Sequence, residues 1–144
     1  MLFWEMAKVL GLAEACGTAA SKPRLLAEFS ARGLWLVDSA KCAVNRLDEG
    51  RRRNAALTRC SALWLKRELE ALRPERIVLI KTNVFGVLRP LLEEWGWGER
   101  ILNQRSLPHP AHGNQRKFRE RLGAIVRDNP TLFGIGQLSG ASAG

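Results

Sequence analysis

The alternation of short apolar runs with helical patterns constrains the fold of this chain more than any other feature. RIVLI at residues 76–80 is the clearest run and LWLV at 34–37 is a second; we expect residues 100–103 to form a third strand. Short continuous apolar runs are typical of strands that are buried on both faces of a parallel sheet. Because these runs alternate with helices, the sequence predicts an α/β fold: a three-layer sandwich with a short parallel sheet of about three strands flanked by helices.

The predicted helices have recognisable ends. Ser21 is a suitable N-cap for the second helix, Gly33 stops that helix, and the helix that starts near Thr82 or Asn83 is interrupted or restarted at Pro90. We expect helices over residues 2–16, 23–32, 52–72, 83–95 and 114–127. One apolar stripe is expected on the long third helix, formed by Leu57, Cys60, Trp64, Ala71 and Leu72.

The size and composition favour one globular domain. With 144 residues, 46% of them hydrophobic, the chain is long enough for a core, and we assign residues 1–130 to a single domain and 131–144 to a flexible Gly- and Ser-rich tail. The chain has no run of 18 apolar residues, and we expect no membrane association. Glu5, Lys8 and Glu14 interrupt the apolar N-terminus, so we expect an amphipathic helix rather than a signal peptide, and a cytoplasmic protein.

Positive charge is concentrated near the C-terminus. The net charge is +9, and residues 100–127 contain seven Lys or Arg against the single acid Glu120. Arg51, Arg52 and Arg53 form a second basic focus. Such clustering favours a polyanionic partner.

The stretch LPHPAHGNQRKFRERL, residues 107–122, combines a turn with a basic helix. His109 lies between two prolines, and Arg116, Lys117, Arg119 and Arg121 follow on the helix. Chemistry on a nucleic acid requires such a pairing of a rigid polar loop with phosphate-binding cations. The alternative is a polar loop followed by a solvated basic helix, which is also common.

Several segments taken together resemble the uracil-DNA glycosylase superfamily, most of all its bacterial iron–sulfur members and their uncharacterised relatives. The matching segments are GLWLVDSAKC at 33–42, Cys60, LKRELEALRPERIVLI at 65–80, and the His-Pro loop with its basic helix. The resemblance covers about residues 30–127. It implies a DNA-repair hydrolase that flips a damaged base out of DNA and cleaves its N-glycosidic bond by base excision.

The resemblance also implies roles for individual residues. His109 matches the histidine that stabilises the departing base, as an oxyanion-type donor does. Asp38 takes the place of a residue, usually Asn, that binds the base edge; a carboxylate only accepts hydrogen bonds, so uracil specificity is not implied. The implied DNA-binding residues are those of the wedge loop, His112, Gly113 and Asn114, and the phosphate-binding cations, Arg116, Lys117 and Arg119.

Two family elements are incomplete. Cys42 and Cys60 resemble half of an iron–sulfur ligand set, but Cys16 has no neighbouring cysteine, so we expect no cluster and no other cofactor. Nothing in residues 1–32 resembles the first motif, which positions the attacking water, so we expect a chain that starts late or a degenerate relative. The predicted sheet would then keep an open edge for a partner chain or for self-association.

Two other interpretations remain open at this point. One is a DNA-binding module of the same fold without catalysis, and the other is a small α/β protein whose charge is incidental. The tryptophans bear on the second of these: Trp35 and Trp64 fit the core pattern, whereas Trp95 and Trp97 either pack in the core or stack on bases.

Overall fold

A computed structural model describes residues 2–12, 21–41 and 50–135. Cys16, Cys42 and the tail from residue 136 lie outside these residues. The first helix, predicted to extend to residue 16, ends at Val9, because Leu10 and Gly11 form a turn in which Gly11 has φ +64°. The chain divides into two compact units, which are Met1–Leu36 with His109–Gly144, and Val37–Pro108.

Helices make up the regular structure of the described residues. A π-helical turn, Ser61–Leu65, joins two of the helices into one continuous rod, and a 3₁₀ turn covers Gly98–Arg100. The α-helices are α1 (Leu2–Val9), α2 (Lys22–Ala31), α3 (Gly50–Cys60), α4 (Lys66–Leu72), α5 (Thr82–Glu94) and α6 (Gln115–Asp128).

The predicted α/β sandwich is wrong. In the described residues no sheet forms, and extended pairing is limited to two isolated parallel bridges, Ile77 with Ile101 and Ile80 with Leu107. The apolar run at 76–80 therefore lies parallel to the segment from 101 to 107, as a parallel sheet would require. The pairing nevertheless stops at two contacts and does not continue as a ladder.

The buried side chain of Asn103 explains why no ladder forms. Its Oδ1 accepts a hydrogen bond from Leu79 N at 2.9 Å, and its Nδ2 donates to Leu79 O at 2.9 Å and to Arg105 O at 3.0 Å. The amide therefore occupies the position where a neighbouring strand would present its own N–H and C=O. Because Asn103 satisfies the backbone of Leu79, the chain from 103 to 106 can leave the pairing line without burying orphan polar groups.

The predicted strand at residues 34–37 is also wrong. Trp35 is 68% exposed and Leu36 is 49% exposed, which is incompatible with a strand buried on both faces. Leu34 N donates to Phe29 O, so the segment continues from the end of α2 instead of joining a sheet. Since the described residues contain no sheet, the open sheet edge expected for a partner chain is absent from them too.

The long helix predicted over residues 52–72 is confirmed, but its apolar stripe is only partly correct. Leu57 and Cys60 are buried as expected, whereas Trp64 is 51% exposed and Leu72 is 41% exposed. The π turn adds about one residue to a helical turn and so rotates everything after it. The buried positions after Cys60 consequently become Ser61, Leu65 and Leu69.

The predictions of helix ends are confirmed more often than the predictions of strands. The Ser21 hydroxyl accepts from Arg24 N at 3.4 Å and caps α2, and Gly33 has φ +75° just after that helix. The cap predicted at Thr82 or Asn83 is wrong, because Lys81 holds the N-cap position of α5 without a side-chain hydrogen bond. The predicted break at Pro90 is wrong as well, since α5 continues through it.

Each unit has its own core. In the Val37–Pro108 unit, Trp95 and Trp97 pack against a buried cluster formed by Leu65, Leu69, Leu79, Leu88, Leu92 and Ile101. In the other unit, Phe3 meets Phe29 edge to face at 6.0 Å, and the side chain of Arg32 is nearly buried. Arg32 Nη1 donates to Leu10 O at 2.8 Å, and its aliphatic carbons lie against Gly134.

Candidate nucleic-acid interface

Helix α6 is amphipathic, and its core face fixes which side chains point outward. Phe118, Leu122 and Val126 are buried at a spacing of four residues, the spacing of one helical face. The same helix contacts α1. The residues left exposed on α6 are Arg116, Lys117, Arg119, Glu120, Arg127 and Asp128.

The loop before α6 is held by backbone hydrogen bonds and by buried prolines. Pro108 and Pro110 are buried, and Ala111 N donates to His109 O at 2.8 Å. A turn follows, in which Asn114 N donates to Ala111 O at 3.1 Å. Its central residues His112 and Gly113 have φ values of +53° and +82°, as in a type I′ turn. This conformation exposes the side chain of His112.

Asn114 connects this turn to the helix. Its Nδ2 donates to Ala111 O at 3.2 Å, so its side chain and backbone N–H share one acceptor. Phe118 N donates to Asn114 O at 2.9 Å, which is the first bond of the α6 ladder. The implied wedge residues and the basic helix are therefore one continuous hydrogen-bonded element, and His112, Gly113 and Asn114 lie immediately before Arg116 and Lys117.

The exposed cations of α6 differ in what they contact. Arg116, with its side chain 86% exposed, forms an ion pair with Glu120 at 2.8 Å. This hydrogen bond raises the pKa of Arg116 above its ordinary value. Lys117 is exposed and has no ion-pair partner among the described residues. Arg127 lies back along the helix, where its Nη1 approaches within 3.3 Å of the position that a Cβ on Gly123 would occupy.

Arg119 has a partner that the sequence did not indicate. Its Nη1 donates to Glu5 Oε2 at 2.8 Å, across 114 residues of sequence, while Lys8 Nζ donates to Glu5 Oε1 at 2.9 Å. The Glu5 side chain is only 9% exposed, against 42% for Arg119. We call these three residues the Glu5 triad. Only the Glu5–Lys8 part, at a helical spacing of three, could have been recognised from the sequence.

The electrostatics of the triad favour an ionised Glu5. The hydrogen bond from Lys8 lowers the pKa of Glu5 most, burial opposes this by raising it, and the hydrogen bond from Arg119 lowers it further. The net pKa lies below the ordinary 4.5, so the carboxylate stays charged at neutral pH. A buried charge of this kind requires its cationic partners, because an unpaired charge in the interior is strongly destabilising.

The two predicted catalytic residues belong to different compact units of the chain. Asp38 is exposed and belongs to the Val37–Pro108 unit, whereas His109 is half-buried and belongs to the other unit. The cleft expected between these two side chains therefore remains a prediction.

Lys41 forms an ion pair with Glu68 at 2.9 Å, and that hydrogen bond, together with the nearby charges of Glu68 and Asp38, raises the pKa of Lys41.

Cys60 is buried and accepts a hydrogen bond from the backbone. Lys41 N donates to its Sγ at 3.1 Å, and the residue is buried at 3% exposure. Cys42, its expected companion, lies outside the described residues. Within those residues, no three His, Cys, Asp or Glu side chains come together as a set that could hold a metal ion.

No helix in the described residues has the length and apolar character needed to cross a membrane. Comparison of the chain with protein-family models, with curated proteins and with solved structures gives no match.

Proposed function

We propose that this protein binds DNA through the outer face of α6 and the turn at residues 111–114. The observation on which this depends is the adjacency of a positive-φ turn and exposed cations in one hydrogen-bonded element. Cations provide the affinity for phosphates, and the exposed turn provides a feature that can enter a groove. The net charge of +9 adds a long-range attraction for the same partner.

Lys117 and Arg116 are the phosphate ligands in this proposal. Among the described residues, Lys117 is exposed and has no ion-pair partner, and Arg116 forms an ion pair only with the exposed Glu120. An exposed pair in water is weak and exchanges readily, so Arg116 can turn from a carboxylate to a phosphate. Binding should therefore be salt-dependent and largely independent of sequence.

The test is a fluorescence-anisotropy titration of a labelled DNA duplex at several salt concentrations. Lys117→Gln is compared with Lys22→Gln, which removes the same charge from an exposed position on α2. The salt slope is the steepness with which the logarithm of the affinity falls as the logarithm of the salt concentration rises. Loss of one phosphate contact lowers this slope by about one. The proposal expects that loss for Lys117→Gln and a nearly unchanged slope for Lys22→Gln. Equal effects of the two variants would show that only net charge matters.

Base excision is a second candidate, favoured by the rigid surroundings of His109 between two buried prolines. A fixed donor at that position could stabilise a departing base anion. The α/β fold that the resemblance implied is not found, however, so DNA binding is the primary proposal. Base excision is tested by incubation of the protein with duplexes that contain uracil, hypoxanthine, xanthine or oxidised guanine. Any base release should disappear in His109→Ala while DNA binding persists.

A cytoplasmic location is part of this proposal, because the net charge of +9 favours a polyanionic partner such as nucleic acid. Fractionation of cells that express the tagged full chain would test it.

A further inference from the structure

The Glu5 triad lies on the flank of the proposed DNA-binding face. Arg119 is the third basic residue of α6, three positions after Arg116, and adjacent turns of a helix bring such residues close together. Its side chain is 42% exposed, so part of the guanidinium faces solvent. Yet its Nη1 is directed to a nearly buried carboxylate on α1, at 2.8 Å.

A carboxylate and a phosphate oxygen offer a guanidinium the same interaction. Both are anionic acceptors of short charge-assisted hydrogen bonds, so one can replace the other. Glu5 is better placed than an incoming phosphate, because it is part of the folded chain and its second oxygen is fixed by Lys8 at 2.9 Å. Its burial adds to this advantage, since moving Arg119 away would leave the Glu5 charge with less compensation.

We propose that Glu5 acts as an intramolecular substitute for phosphate that holds Arg119 away from DNA and so limits the number of phosphates bound by α6. This inference rests on the proposed DNA-binding function. It assigns Arg119 to the α1–α6 contact instead of to the DNA, and it makes Glu5 a residue that sets affinity without touching the ligand.

The experiment measures the salt dependence of DNA binding for Glu5→Gln. The amide keeps the shape of the side chain but removes the charge, so Arg119 loses its charge-assisted hydrogen bond and a phosphate becomes the stronger acceptor. Asp128→Asn is the matched control, because it removes one negative charge from an exposed position at the end of α6. We expect Glu5→Gln to steepen the salt slope by about one and to raise affinity about five- to tenfold at 0.1 M salt. Asp128→Asn should leave the slope unchanged.

A double variant identifies the cation responsible. In Glu5→Gln/Arg119→Gln the gain should disappear, and Arg119→Gln alone should keep the wild-type slope, since its charge is not used on DNA. A gain that survives the double change, or a slope for Arg119→Gln that falls by one, would overturn the inference. So would equal behaviour of Glu5→Gln and Asp128→Asn. Absence of binding by the wild type and by every variant would instead refute the proposed function. Circular dichroism verifies that each variant is folded.

Discussion

Replacement of Asn103 by Ala should be one of the most destabilising single changes in this protein. The side chain is 3% exposed and forms three hydrogen bonds of 2.9 to 3.0 Å, two of them to the backbone of Leu79. Truncation leaves the buried N–H and C=O of Leu79 without these partners. Each unsatisfied buried group costs about 1–3 kcal/mol, so the free energy of unfolding should fall by about 2–5 kcal/mol in total.

The assay is urea unfolding followed by tryptophan fluorescence, together with a thermal melt. Trp95 and Trp97 pack against the cluster that contains Leu79, so their emission reports on this region. For a chain of this size the melting temperature should fall by roughly 5–15 °C. The control is Gln104→Ala at the neighbouring exposed position, where the change should stay within about 0.5 kcal/mol.

A third variant tests the direction of the hydrogen bonds. Asn103→Asp keeps an acceptor for Leu79 N but places a negative oxygen against Leu79 O and Arg105 O. At neutral pH it should therefore be at least as unstable as the alanine variant. If Asn103→Ala and Gln104→Ala unfolded at the same urea concentration, the explanation for the absent sheet would be refuted.

Three further predictions concern other contacts. Arg32→Met should lower the free energy of unfolding by about 1–3 kcal/mol, because it removes the buried donor to Leu10 O. An unchanged midpoint of urea unfolding would contradict this. The pKa of Glu5 in the folded protein is lower than its ordinary value of 4.5. The ion pairs of Glu5 therefore stabilise the fold at pH values above 4.5, and this stabilisation is lost as the pH falls through the pKa of the folded state. Melts of Glu5→Gln should lack that part of the acid dependence, and identical acid limbs would exclude it. Gly86→Ala, in an exposed and open position within α5, should stabilise the fold by up to about 1 kcal/mol. Gly113→Ala, at a position with φ +82°, should destabilise it by about 1 kcal/mol. If chemical denaturation gave both changes the same sign, the argument from backbone conformation would be refuted.

Helices could be predicted from the sequence because their signals are local. The Ser21 cap, the positive φ of Gly33 and the four-residue spacing of Phe118, Leu122 and Val126 all lie within a few residues of the structure that they determine. The π turn could not be predicted, since the composition of residues 61–65 does not indicate it. It reversed the prediction for Trp64, which now lies on the surface.

The sheet could not be predicted correctly because an apolar run does not specify what satisfies its backbone. Residues 76–80 have the composition of a buried strand and do pair in parallel, but the amide of Asn103 replaces the next strand position. In the candidate interface the exposed cations Arg116 and Lys117 were evident from the sequence. The commitment of Arg119 to Glu5 was not, because 114 residues separate them.

The measurement that tests DNA binding by α6 most directly is a map of backbone amide chemical shifts during titration with a DNA duplex. The proposal predicts that the largest changes occur at residues 111–120, in the turn and the first half of α6. Residues 22–31 of α2, which begin with the control cation Lys22, should change little. Largest changes in α2, or no changes at saturating DNA, would contradict the assignment of the DNA-binding surface to α6.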